Sequence, residues 1–189
     1  MRLVNFFKAA FIAGAIATLS GCGTVNAVNN LNDGAGETFM QIWDKWVAAD
    51  GDIADATMWE VKVEDGVELE DVIDAINNVG INRNIKNVGE LPLSEELKAR
   101  GIDSKVIHVM SFCNPETARK MVDFSPAMGG FLPCRVNIIE EDDGLHIYTM
   151  NMDMAIKMGK KMPPELKEAT MQVRDTMWEM LQKGKSGAF

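Results

Sequence analysis

The passage from Cys134 to Asn151 limits the fold more than any other part of this chain. Two extended, β-prone runs, Cys134–Glu140 and Leu145–Asn151, flank Glu141-Asp142-Asp143-Gly144. Asp-Gly between such runs supplies the positive-φ turn of a tight hairpin, so the two runs return antiparallel. A doubly wound parallel sheet needs regular crossovers and glycine-rich turns at its strand ends. The hairpin breaks that pattern, and the expected class is α+β with a mainly antiparallel sheet packed by helices.

The remaining elements follow from periodicity. Phe39, Ile42, Trp43, Trp46 and Val47 fall at helical spacing, which predicts a helix over 37–49; core packing is the favoured role of its stripe, and a partner surface beside the tether is the alternative. Trp59, Val61 and Val63 alternate with Glu60 and Lys62, as in a half-buried strand. Residues 67–79 read as a helix with acids in its first turn and Gly80 at C′. A weaker strand is expected over Ile81–Val88, then a short helix from Ser94 to Gly101 and a strand over Lys105–Phe112. A last helix over 164–183 carries Leu166, Ala169, Val173, Met177 and Leu181 on one stripe.

The most distinctive stretch lies between the third strand and the hairpin, from Ser111 to Arg135. Asn114 can cap a helix and Pro115 suits its first position, so Cys113 sits where a strand hands over to a helix over 115–124. A turn-rich passage, Ser125–Gly130, then leads to Leu132-Pro133-Cys134-Arg135. Cys113 and Cys134 flank one short helix, and a disulfide there would close a loop of about 20 residues and add about 3 kcal/mol. A reactive redox pair and two small packed thiols are the other readings, and a Cys-x-x-Cys spacing is absent.

The N-terminus is a targeting segment by pattern. Arg2 and Lys8 precede an apolar run, Ala9–Leu19, that is short for a membrane span. It ends in Leu19-Ser20-Gly21-Cys22, which resembles the lipobox of bacterial lipoproteins. That resemblance implies cleavage of residues 1–21 and palmitate or a similar acyl group on Cys22. With Gly23 next, it further implies an outer-membrane lipoprotein of a Gram-negative envelope, facing the periplasm. Residues 22–36, rich in Gly and Asn, are expected to be a flexible tether, with one folded domain over 37–185.

Charge narrows the partners. The chain carries 28 acidic against 19 basic residues, a formal net charge of −9. Such a surface repels phosphate backbones, so nucleic acid is not an expected partner. The plainer meaning of the charge is solubility.

Few residues form a recognisable catalytic set. No Ser/His/Asp arrangement, glycine-rich phosphate loop or His-Glu-x-x-His occurs, so no catalytic residue and no cofactor is assigned. Acid pairs such as Glu140 with Asp142 read as solvated hairpin edges. His108 and His146, the two histidines, stand on separate predicted strands and read as partly buried, hydrogen-bonded residues. Met150, Met152, Met154, Met158 and Met162 are the one weak metal candidate: thioethers at these spacings suit Cu(I), although a methionine stripe more often fills a core.

Taken together, Cys113-Asn114-Pro115-Glu116-Thr117-Ala118, Leu132-Pro133-Cys134-Arg135-Val136 and the acidic turn Glu140–Gly144 resemble the bacterial "domain of unknown function 302" family. The resemblance covers about residues 56–152. It implies a curved antiparallel sheet and self-association, with a homodimer as the expected partner state, and brings no established reaction. The helix 37–49, the methionine-rich passage and the helix 164–183 read as additions to that family's domain. The leading functional expectation is a lipid-anchored, non-enzymatic domain that binds a ligand or partner beside Cys113, Asn114, Pro115, Cys134 and Arg135. Thiol-dependent redox or sulfur chemistry at Cys113 and Cys134 is the alternative, and Cu(I) binding at Met150–Met162 a further one.

Overall fold

The computed structural model describes residues 22–188. In chain order the elements are α1 (Cys22–Asn29), α2 (Ala35–Ala48), α3 (Ile53–Thr57), β1 (Met58–Lys62), α4 (Leu69–Asn82), β2 (Lys86–Pro92) and α5 (Leu93–Ala99). There follow β3 (Ile107–Cys113), α6 (Pro115–Phe124), a 3-10 turn (Pro126–Phe131), β4 (Cys134–Glu141), β5 (Gly144–Met150), α7 (Met152–Lys157) and α8 (Pro164–Ser186). The five strands form one sheet in the order β1-β5-β4-β3-β2, and every neighbouring pair is antiparallel. The fold is therefore α+β.

The expected hairpin joins β4 to β5, with Glu141 opposite Gly144. Gly144 takes φ of 129°, a conformation that side chains resist. Its acids are tied down from both sides, Asp143 by Lys62 at 2.9 Å and Asp142 by Lys105 at 2.5 Å.

One face of the sheet holds the core. Val72 and Ile76 of α4 meet Met177, Met180 and Leu181 of α8 over Met110, Phe112, Val136, Ile138 and Ile147, all fully buried. Each such side chain contributes about 1.5–3 kcal/mol relative to exposure. Helix α4 begins with a capping box, in which Glu68 and Asp71 each bond the other's backbone N–H. Two glycines let the helices come close: a Cβ on Gly80 would lie 2.8 Å from the Ile85 carbonyl, and one on Gly184 2.8 Å from Ile147. By strand alternation Asn137, Ile139, Glu141, His146 and Tyr148 face away from these helices.

Several expectations are corrected. Gly80 is not the end of α4 but lies inside it, because close contact with β3 demands a residue without a side chain; the helix runs on to Asn82. The second strand accordingly starts at Lys86 rather than Ile81. The flexible tether expected over 22–36 is instead a helix, α1, and a docked segment. Asn32 is 4% exposed there, its amide donates to the Ile156 carbonyl at 2.8 Å, and Leu31 forms a β-bridge with Lys160. The stripe of α2, expected to pack inward, is largely in solvent: Phe39 is 50%, Trp43 48% and Val47 56% exposed. What α2 buries are small residues, Ala35 and Thr38.

The expected signal segment, residues 1–21, lies outside the described residues. Among the described residues no helix is long and apolar enough to cross a membrane.

Candidate functional site

The Ser111–Arg135 unit builds one wall of an apolar crevice. β3 delivers Phe112 and Cys113, and Asn114 then stops the strand and caps α6, its side-chain oxygen accepting from the Thr117 N–H at 3.0 Å. The same amide donates to the Asn84 carbonyl at 3.1 Å, fixing the start of α6 against the end of α4. Pro115 occupies the first turn, where its missing N–H costs nothing. Ala118 and Met121 of α6, then Met128 and Phe131 of the 3-10 turn, face the opening. A cis peptide joins Leu132 to Pro133 before β4 begins at Cys134, directly opposite Phe112.

The opposing wall comes from elsewhere in the chain. Met150 at the end of β5, Met152 and Ile156 of α7, and Thr170 and Val173 of α8 close the crevice. Its cavity volume is about 30 Å³, space for about two waters, so it is narrow and almost wholly apolar. Methionine supplies four of its lining side chains, and thioether chains rearrange at low cost. A narrow gap between such walls can open for a thin, unbranched apolar group more readily than for a rigid ring system.

Of the residues singled out from the sequence, Cys113, Asn114 and Cys134 all line this crevice. Pro115 and Arg135 do not: both side chains are exposed, and the Arg135 carbonyl instead accepts from the Thr149 hydroxyl at 2.7 Å. Cys113 and Cys134 are free thiols. Burial pushes Cys134 up to about 11, with the neighbouring Cys113 adding to the rise and Arg135 opposing it, and burial also raises Cys113. Neither environment favours the thiolate that redox or sulfur-transfer chemistry needs.

The methionines after Met150 are divided among different surroundings. Helix α7 ends at Lys157, so Met154, Met158 and Met162 do not share one helical stripe. Met150 and Met152 belong to the crevice, whereas Met162 is buried with Met121, Met128 and Leu166 in a second small core. Thioether packing accounts for Met152 and Met162.

The two histidines stand on opposite faces of the sheet. His108 is buried beside Met110 and Phe112, with the Glu90 carboxylate 3.5 Å from an Nε2 that makes no hydrogen bond. His146 is also buried, and it gathers Glu60, Glu141 and Asp143 around it. Sequence reasoning missed this group because its members come from β1, β4, the turn and β5. Glu60 on the outward face of β1 and His146 on the outward face of β5 were its available signals.

A five-stranded antiparallel sheet with α4 and α8 on one face and a capped strand-to-helix crevice at its end defines an α+β domain of a recognisable kind. The family model described as "Domain of unknown function DUF302" matches residues 59–184, and the chain belongs to that family. The match runs past the hairpin through α8, so the long C-terminal helix is part of the family's domain rather than an addition to it. The crystal structure of an uncharacterized conserved DUF302 protein from Bacillus stearothermophilus is similar, with 21% identity and a TM-score of 0.55 over 67% of this chain and 97% of that one. At that identity it speaks for the fold alone. Comparison with curated proteins finds no match.

Proposed function

We propose that this protein is a lipid-anchored, non-enzymatic binding domain of the cell envelope, and that its crevice takes a thin apolar chain such as an acyl tail. The crevice carries this reading. It is lined by apolar side chains from four separate segments, sits on a strand-to-helix boundary, and is walled by methionines that can repack. The two thiols at its edge are held protonated and serve as small apolar lining.

Anchoring through Cys22 has its own support. The lipobox-like Leu19-Ser20-Gly21-Cys22 ends on the first residue of α1, and the exposed Phe39, Met40, Trp43 and Val47 of α2 form an apolar face in the same N-terminal part of the chain. Trp at an apolar face suits the membrane–water boundary. On this reading the protein faces the periplasm from the outer membrane.

The test is titration of the protein with dodecanoate by isothermal calorimetry. Saturable binding is expected in the native protein, and Ala118→Trp, which fills the crevice, should weaken it at least tenfold while leaving the circular dichroism spectrum unchanged. Equal binding by both proteins overturns the crevice as the site. For the anchor, intact mass spectrometry of protein from membranes should show acyl groups that Cys22→Ser removes; an unmodified mature N-terminus overturns that part.

A further inference from the structure

The outward face of the sheet carries a second arrangement, remote in the fold from the crevice-lining α6 and built from three strands. Glu60 of β1 stands opposite Tyr148 of β5, His146 lies two residues before Tyr148, and Glu141 ends β4. His146 Nδ1 is 2.7 Å from Glu60 Oε1 and 3.9 Å from Glu141 Oε1, and the potential ligand atoms of the three residues all lie within 4.8 Å of one another. The opposite ring nitrogen, Nε2, is 2.9 Å from Asp143 Oδ1.

The chemistry of the trio is specific. A neutral imidazole that donates its Nε2 hydrogen to Asp143 turns a bare Nδ1 lone pair toward two carboxylates. Three lone-pair donors then face one small space, which either a proton on Nδ1 or a metal cation can fill; a cation can engage all three donors at once. A carboxylate on the far ring nitrogen is also the usual device for fixing the tautomer and orientation of a metal-bound histidine. Here Asp143 supplies it and is itself held by Lys62 at 2.9 Å. The Tyr148 hydroxyl donates to Glu141, and its ring stacks on His146 at 6.3 Å between centroids, so both the imidazole and the second carboxylate are positioned from behind.

The dimensions agree. Donor atoms sharing one ion at about 2.0–2.2 Å sit roughly 3–3.5 Å apart, and the observed 2.7 and 3.9 Å bracket that range. Glu60 and Glu141 are exposed and can swing by the small amounts required, while His146 is only 7% exposed and cannot wander.

We propose that His146 Nδ1, Glu60 and Glu141 bind one divalent transition-metal ion, with Asp143 as the positioning residue. One imidazole and two carboxylates suit borderline ions such as Zn²⁺, Mn²⁺ or Fe²⁺ better than Cu(I), which prefers sulfur. Water fills the remaining positions on the open side. This site is independent of the crevice and of the thiols.

The experiment uses tag-free, full-length protein stripped with chelator and titrated with ZnCl₂ and MnCl₂ by calorimetry, with Co²⁺ absorption as a coordination readout. One ion per chain is expected. Glu60→Gln and Glu141→Gln alter exposed positions and should each weaken binding at least tenfold; Asp143→Asn should weaken it about 10–100-fold. A variant with all three cysteines changed to Ser should bind as the parent does. Absence of uptake at millimolar metal means that His146 is only an ion-paired imidazolium and overturns the proposal. Unchanged affinity in both Glu variants, or loss in the cysteine-free variant, does so equally.

Discussion

Asn32 donates its side-chain amide to the main-chain carbonyl of Ile156, 124 residues away, at 2.8 Å. The bond crosses from the N-terminal segment to the helix that walls the crevice, and the same amide lies 3.3 Å from the carbonyls of Gly159 and Lys160. Asn32→Ala strands these acceptors in a buried setting, and the expected cost is about 1–3 kcal/mol. Urea denaturation reads it directly, as a lower midpoint at unchanged slope. A loss below a few tenths of a kcal/mol means that water replaces the amide.

The buried carboxylate of Asp153 is held by Arg174, at 3.1 and 3.2 Å, and by Lys157 at 3.1 Å, while Arg174 also lies 5.1 Å from the Trp59 ring. Burial raises the carboxyl's pKa, but the two cations outweigh it and the net direction is down from 3.8. A depressed pKa stabilises the fold above the unfolded value, and that stabilisation is lost as pH falls through the folded value. Asp153→Asn should therefore flatten the stability–pH curve below about pH 4. Arg174→Ala leaves the acid without its main partner and should cost on the order of 3 kcal/mol at pH 7. Thermal melts from pH 2.5 to 7 separate the two variants; parallel curves for Asp153→Asn and the parent would remove this group from the acid response.

Gly80 tests the close approach of α4 to the sheet. In an unconstrained helix Gly→Ala gains about 1 kcal/mol. Here a methyl group would meet the Ile85 carbonyl at 2.8 Å and Phe112 at 3.2 Å, so Gly80→Ala should instead destabilise, by about 1–3 kcal/mol. A rise in melting temperature would show that the two segments can part without loss.

Thiol reactivity offers a check on the crevice. With Cys134 held at about 11, its thiolate fraction at pH 8 is about 100-fold below that of an unperturbed thiol. A Cys22→Ser protein should show two slow thiols towards Ellman's reagent when folded and two fast ones in urea. A fast native thiol at Cys113 or Cys134 would restore the redox reading.

The hairpin, the α+β class and most elements were legible in local pattern. Asp-Gly between extended runs specifies a turn wherever it occurs, and the stripe of Val72, Ile73 and Ile76 specifies a helix, because each depends on neighbours within a turn or two. The crevice was half legible: Asn114 and Pro115 marked the strand-to-helix step and led to Cys113 and Cys134, but Met150, Ile156 and Val173 reach it only through the return of α7 and α8. The α2 stripe shows the converse limit, since amphipathic spacing says that a face is apolar and not what covers it.

Sequence alone determined the turn, the Asn114 cap and the alternation that sorts each strand into two faces, since these are short-range sterics and hydrogen bonding. Tertiary structure decided where distant groups converge: Gly80 as a contact inside a helix rather than its end, Asn32 as an anchor in a segment that reads as a tether, and Glu60 and Glu141 around His146. The last of these arises from strand order, β1 beside β5 beside β4, and the other two from helix and segment docking; long-range packing selects them all and no local spacing encodes them.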